Sequence, residues 1–265
     1  MASTLAIASS NRIDQRFALL RGTRRTALVC YVTAGYPDIK RSLSLLRGLA
    51  DQGADVVEVG VPFSDPIADG PIIQESSMRA LEAGMTFERT LDLVAQADLA
   101  IPVVLFSYLN PILAAGETCL HRAATAGVDG ILVTDLPVGA DAAREAWFGE
   151  SELAFIRLVA PTTPLERMRE ISSHGGGFVY LISRLGVTGM QESVSAELEP
   201  AVALLKSATD LPICVGFGIS NPDQARTVGK LADGVVVGSA LVQAAGRSTD
   251  EAVNLAAALR AALDS

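Results

Sequence analysis

The chain has 265 residues, a formal net charge of −9, and 49% hydrophobic but only 5% aromatic residues. The acidic balance offers no basic stripe to neutralise a phosphate backbone, which argues against nucleic acid as a partner. No apolar run reaches the roughly 20 residues of a membrane-spanning helix, and residues 1–11 lack a basic segment followed by a long apolar one, so cytoplasmic residence is the expectation.

Short apolar runs alternate with longer amphipathic stretches along the whole chain. The runs are 27–32, 56–59, 103–106, 130–133, 155–159, 178–182, 213–216 and 234–237. Their near-continuous apolar character predicts strands covered on both faces. Between them, 39–52, 86–96, 118–126, 165–173, 200–208 and 221–231 have helical periodicity. Asn221-Pro222 and Thr163-Pro164 supply starting signals, a cap candidate followed by proline in the first turn. Eight strand–helix repeats predict an α/β fold, a (β/α)8 barrel spanning residues 1–265 as one domain, with residues 1–11 loosely ordered. A doubly wound open sheet is the rival, but no Gly-x-Gly-x-x-Gly follows the first strand, where Thr33 to Asp38 stand instead.

Strand 2 contains an anomaly. Glu58 interrupts the run Val56-Val57-Glu58-Val59, where an acid is not expected. Desolvation there would raise its pKa and make it a usable proton donor near neutral pH. Asp69, eleven residues on, lies in a loop crowded with Pro and Gly, so the two acids are expected to divide their roles. Other polar and turn residues gather where a barrel places its chemistry, after the strands. Strand 3 runs into Ser107-Tyr108-Leu109-Asn110, strand 4 into Thr134-Asp135, and strand 6 carries Tyr180 before Ser183-Arg184. Strands 7 and 8 end in Gly216-Phe217-Gly218 and Gly238-Ser239, where close backbone approach and a helix N-terminus favour an anion such as phosphate. Cys30, Cys119 and Cys214 have no histidine at ligand spacing and are expected to be buried free thiols. His121 and His174 read as ordinary surface or helix-end residues.

The segment 57–71, Val-Glu-Val-Gly-Val-Pro-Phe-Ser-Asp-Pro-Ile-Ala-Asp-Gly-Pro, closely resembles the signature of the tryptophan synthase α subunit family. So do Tyr31-Val32-Thr33-Ala34-Gly35, Gly186-Val187-Thr188-Gly189, Gly216-Phe217-Gly218-Ile219-Ser220 and Gly238-Ser239-Ala240, in the family's order over roughly residues 12 to 245. The resemblance implies a carbon–carbon lyase that cleaves indole-3-glycerol phosphate to indole and glyceraldehyde 3-phosphate without metal or organic cofactor. It implies Glu58 as the acid that protonates indole C3, Asp69 as acceptor from the indole N–H, and Tyr180 as support for Glu58. By the same match Tyr31, Ile73, Phe106, Leu132 and Phe217 would line the indole pocket. Gly189, Gly218, Gly238 and Ser239 would bind phosphate, and Thr188 would sit on a lid that touches Asp69 when closed. The implied partner is a tryptophan synthase β subunit in an αββα complex, with the strand-2 and strand-3 loops at the interface. A stand-alone lyase releasing free indole would carry the same residues and differ in its turnover without that partner. An isomerase or synthase barrel of aromatic biosynthesis would need a catalytic lysine at a strand end, and none of the eight runs carries one.

Overall fold

The computed structural model describes residues 11–182, 191–216 and 218–265, with only the backbone of 191–197. Eight parallel strands close into a barrel in sequence order: β1 (Ala27–Thr33), β2 (Val56–Gly60), β3 (Val103–Ser107), β4 (Gly130–Val133), β5 (Ala154–Val159), β6 (Val179–Ile182), β7 (Ile213–Gly216) and β8 (Gly234–Val237). Around them lie α1 (Arg12–Thr23), α2 (Ile39–Asp51), α3 (Pro71–Glu82), α4 (Phe87–Ala97), α5 (Leu109–Ala114) and α6 (Cys119–Thr125). The chain continues through α7 (Ala142–Gly149), α8 (Leu165–Ser173), α9 (Gln191–Lys206), α10 (Pro222–Gly229), α11 (Ser239–Arg247) and α12 (Thr249–Leu263). The predicted strands and barrel are therefore the observed ones.

Helices α3, α5, α7, α11 and α12 lie outside the six stretches read as helical from sequence, and three further points differ. Residues 12–23, which lack a strong apolar stripe, form α1, and its face of Ile13, Phe17 and Leu20 plugs the N-terminal end of the barrel against Phe178. Pro200 does not begin a helix but lies inside α9. There it forfeits one i→i−4 bond, while Leu198, Ala201, Val202 and Leu205 remain buried. Thr163 does not cap α8, since its hydroxyl instead accepts from the Ala160 N–H in the preceding turn. Asn221 caps α10 as its sequence suggests, accepting from Gln224 N–H at 3.0 Å. All three cysteines are buried and free.

Two cores result. The outer faces of the strands pack on the helices, with Leu28, Val57, Leu105, Ile131 and Val215 among the buried residues. Inside the barrel, inward-facing positions stagger into layers contributed by alternate strands. The observed registers place Val29, Val104, Ile156 and Cys214 in one layer and Glu58, Leu132, Tyr180 and Val236 in the next. Tyr31, Phe106, Leu158 and Gly216 follow above them. Glu58 is thus the one ionisable carboxylate in a layer otherwise built from Leu, Tyr and Val.

The N-terminal end is pinned by a recurrent device. Asp55, Asp129 and Asp233 directly precede β2, β4 and β8. Each accepts the N–H that opens or lies near the start of the preceding neighbour strand: Leu28 at 2.8 Å, Val103 at 2.9 Å and Ile213 at 2.9 Å. Each carboxylate so fixes the register of one strand pair, and register decides which side chains point inward.

Candidate active site

Glu58 is 1% exposed, and its Oε1 has no hydrogen-bond partner among the described residues. Among the described residues no guanidinium or ammonium is paired with it. Burial alone pushes its carboxyl up to about 8, so at neutral pH the group keeps its proton. β2 places it there because inward and outward positions alternate along a strand, and Val57 and Val59 take the outward, helix-covered side.

Asp69 reaches the same space from the loop between β2 and α3. That loop is folded by local bonds, Ile67 N–H to Asp65 O at 2.9 Å and Asp69 N–H to Pro66 O at 3.0 Å. Gln74 Nε2 donates back to Asp69 O at 2.9 Å, and Gly70-Pro71 opens α3. The phenol of Tyr108, just past β3, joins loop to barrel: it accepts from Ala68 N–H at 2.9 Å and donates to Asp69 Oδ2 at 3.1 Å. Its ring packs against Phe63 at 5.1 Å. Partial burial raises the Asp69 carboxyl above its ordinary value, and the Tyr108 bond works in the opposite direction. The two acids are therefore held differently, one dry and unpartnered, the other half-buried and tied to a phenol.

Both acids line one cavity of about 240 Å³ at the C-terminal end of the barrel. Its apolar wall contains Tyr31, Ile72, Ile73 and Phe106, with Tyr31 and Phe106 in edge-on contact at 5.3 Å. Tyr180 and Val236 form part of its floor. At the other end Gly218, Ser220, Gly238, Ser239 and Ala240 border it, and the N-terminus of α11 points there with no side chain capping it. Free N–H groups and the positive end of a helix dipole suit an anion. An apolar slot with an acid at its floor and an anion cradle opposite can accept a flat aromatic ring bearing a phosphorylated arm.

A larger groove, about 680 Å³, runs outside the barrel between α7 and α8. Its buried cation, Arg157, is already bonded to Glu145, Leu136 O and His174 O and stacked on Phe155. Its charge is thus already matched by Glu145, and its guanidinium serves to hold the surrounding backbone.

Of the residues singled out from sequence, Glu58, Asp69, Tyr180, Tyr31, Ile73, Phe106, Gly218, Gly238 and Ser239 meet at this cavity. Leu132 does not line it. It is fully buried in the layer of Glu58, beneath Phe106 and packed with Leu158 inside the barrel. Thr188, Gly189 and Phe217 lie outside the described residues. No hydrogen bond joins Tyr180 to Glu58; the phenol end of Tyr180 instead occupies the place where a Cβ on Gly216 would stand, 2.2 Å from that position. Sequence reasoning assigned no role to Tyr108, Ile72 or Gln243, which the structure brings to Asp69 or to the cavity. A phenol at a strand's C-terminal end was the available signal for the first.

Comparison with known proteins agrees with this geometry. The family model described as tryptophan synthase alpha chain matches residues 17–264. A tryptophan synthase alpha chain of Caulobacter vibrioides is 48% identical over 239 residues, covering 88% of this chain and 86% of that one. That of Desulfatibacillum aliphaticivorans is 46% identical over 231 residues, covering 86% and 87%. Among solved structures, the tryptophan synthase alpha subunit of Legionella pneumophila superposes with a TM-score of 0.89 at 35% identity, covering 97% of this chain and 99% of that one. A chain of Mycobacterium tuberculosis tryptophan synthase in its aminoacrylate-bound form gives 0.87 at 32% identity, covering 96% and 100%. The chain belongs to the tryptophan synthase alpha chain family, carbon–carbon lyases of tryptophan biosynthesis.

Proposed function

We propose that the cavity cleaves indole-3-glycerol phosphate by a retro-aldol step, with Glu58 as general acid and Asp69 as the anionic partner of the ring nitrogen. The supporting observation is that two carboxyls of unlike environment share one apolar cavity, the deeper one carrying no counter-ion among the described residues. Pairs of acids whose surroundings separate their pKa values are how a site holds a proton donor and an anion together. Glu58 transfers its proton to indole C3, which converts the ring into a cationic indolenine. Asp69 accepts a hydrogen bond from the N–H and stabilises that charge. The proton of the side-chain hydroxyl next to the ring carbon leaves, directly or through water, to the Glu58 carboxylate. The carbon–carbon bond then breaks, its electrons restoring the neutral indole, and the carbinol carbon becomes the aldehyde of glyceraldehyde 3-phosphate. Tyr180 packs beside Glu58, and the neutral donors around Gly218, Gly238 and Ser239 receive the phosphate.

The reading extends to a cytoplasmic α subunit that passes indole to a tryptophan synthase β subunit. Ile67, 86% exposed beside Asp65 and Pro66, places an apolar side chain in water on the loop that carries Asp69. Such exposure suits a surface that a partner covers. An indole-release assay with the purified chain, with and without a β subunit, tests the reading. Substrate-dependent indole that rises with the partner supports it. No indole under either condition contradicts the reaction, and full turnover without the partner favours a stand-alone lyase.

A further inference from the structure

We propose that Gly60, which itself lines no part of the cavity, determines how large a ring the site admits, because its missing side chain is the space into which Tyr31 withdraws. The inference rests on the reading that the apolar end receives the indole ring. A Cβ at Gly60 would stand 2.1 Å from the Tyr31 hydroxyl oxygen, 2.6 Å from Cζ and 2.9 Å from Cε2. Those distances fall roughly 1 Å or more short of ordinary carbon contact. The phenol of β1 therefore lies across β2, over the position that registers with Phe106 of β3, and meets that ring edge-on at 5.3 Å.

Tyr31 has little other room. Ile73 and Val242 pack against it, with Phe106 alongside. The end of its strand is tied to α3 by the hydroxyl pair Thr33 and Ser76, 2.6 Å apart and buried. A methyl group at position 60 must push the ring toward the open side, and the open side is the cavity. The depth of the slot between Tyr31, Ile73 and Phe106 is thus set from behind, by a residue no substrate touches. Gly60 is a positioning residue for specificity, not a catalytic one.

The test compares kcat/KM for indole-3-glycerol phosphate and for an analogue methylated on the benzo ring, in wild type, Gly60→Ala, Tyr31→Leu and Gly60→Ala/Tyr31→Leu. Gly60→Ala is expected to lower kcat/KM for the parent substrate at least tenfold, mainly through KM, and to lower it further for the methylated one. The inhibition constant of glycerol phosphate, which occupies only the anion end, should stay within twofold. Tyr31→Leu removes the colliding atoms, so the double variant should recover activity over Gly60→Ala and shift preference toward the methylated substrate. An unchanged preference in Gly60→Ala overturns the inference. So does a double variant that neither folds nor recovers, even where Gly60→Ala alone fails to fold. Absence of cleavage by the wild type would instead overturn the proposed reaction.

Discussion

Two buried carboxylates stand three residues apart on one stretch of chain, Asp55 just before β2 and Glu58 at its middle, and their surroundings could hardly differ more. Asp55, at the N-terminal end, binds Arg16 through Oδ1 at 2.6 Å, Arg260 at 2.9 Å and the Leu28 N–H at 2.8 Å. Glu58, as deeply buried, has among the described residues no cation and an oxygen without a partner. A buried charge is tolerated when its partners are supplied, and a buried acid denied partners stays protonated. The carboxylate at the mouth of the strand therefore holds α1, β1, β2 and α12 together, and the one at its middle keeps a proton available for transfer.

Exchanging these roles by mutation should separate activity from stability. Glu58→Gln is expected to reduce indole formation by about 10³-fold or more, near the upper part of the range for a lost general acid, with the fold retained. Indole release and circular dichroism together check it, and substantial residual turnover would contradict the acid role. Asp55→Ala should do the reverse, costing about 3 kcal/mol of stability, the low end for a broken buried pair, because Arg16 and the Leu28 N–H lose their acceptor while Arg260 keeps Asp264, as read by urea unfolding. Turnover per folded molecule should change little.

The next effects concern the second acid. Asp69→Asn keeps an acceptor but removes the charge, so a loss of about 10²–10³ in kcat is expected; near-normal kcat would reduce Asp69 to an orienting role. Tyr108→Phe deletes the phenol that donates to Asp69 and accepts from Ala68. Its bond works against the upward shift of the Asp69 carboxyl, so without it the acidic limb of the kcat/KM–pH profile should move to higher pH. At alkaline pH the loss should be only about tenfold or less, in line with one hydrogen bond to a charged group. An unmoved acidic limb would show that the bond does not govern Asp69.

A pH experiment sharpens the contrast further. The folded-state pKa of Glu58 is raised from 4.5 to about 8. The stability associated with this group is therefore fully present below about 4.5 and declines as pH rises through about 8, because the folded chain then holds a buried anion that the unfolded chain does not. Glu58→Gln should flatten that decline in unfolding free energy between pH 5 and 9. A decline equally steep in the variant would place its cause elsewhere.

Much of this arrangement was legible in the residues. Strands covered on both faces read as continuous Val, Ile and Leu runs, so β1 to β8 stood out, and Glu58 stood out against its own strand. What eluded sequence reasoning depends on closure of the barrel. Leu132 and Phe106 are both apolar strand residues, and only the inter-strand stagger puts Phe106 at the cavity and Leu132 beneath it. The Tyr108–Asp69 bond joins residues 39 positions apart, through a loop whose path no local pattern specifies. α1 was missed because its buried stripe is narrow, three residues that matter only once a barrel end exists to receive them.

Burial keeps Glu58 a neutral acid at neutral pH. Infrared difference spectra between wild type and Glu58→Gln, recorded across pH with 13C-labelled glutamate, observe that carboxyl directly. A protonated carboxyl band present at pH 7 and lost on raising the pH through about 8 is the expected result. A carboxylate signal already present at pH 6 would contradict the account.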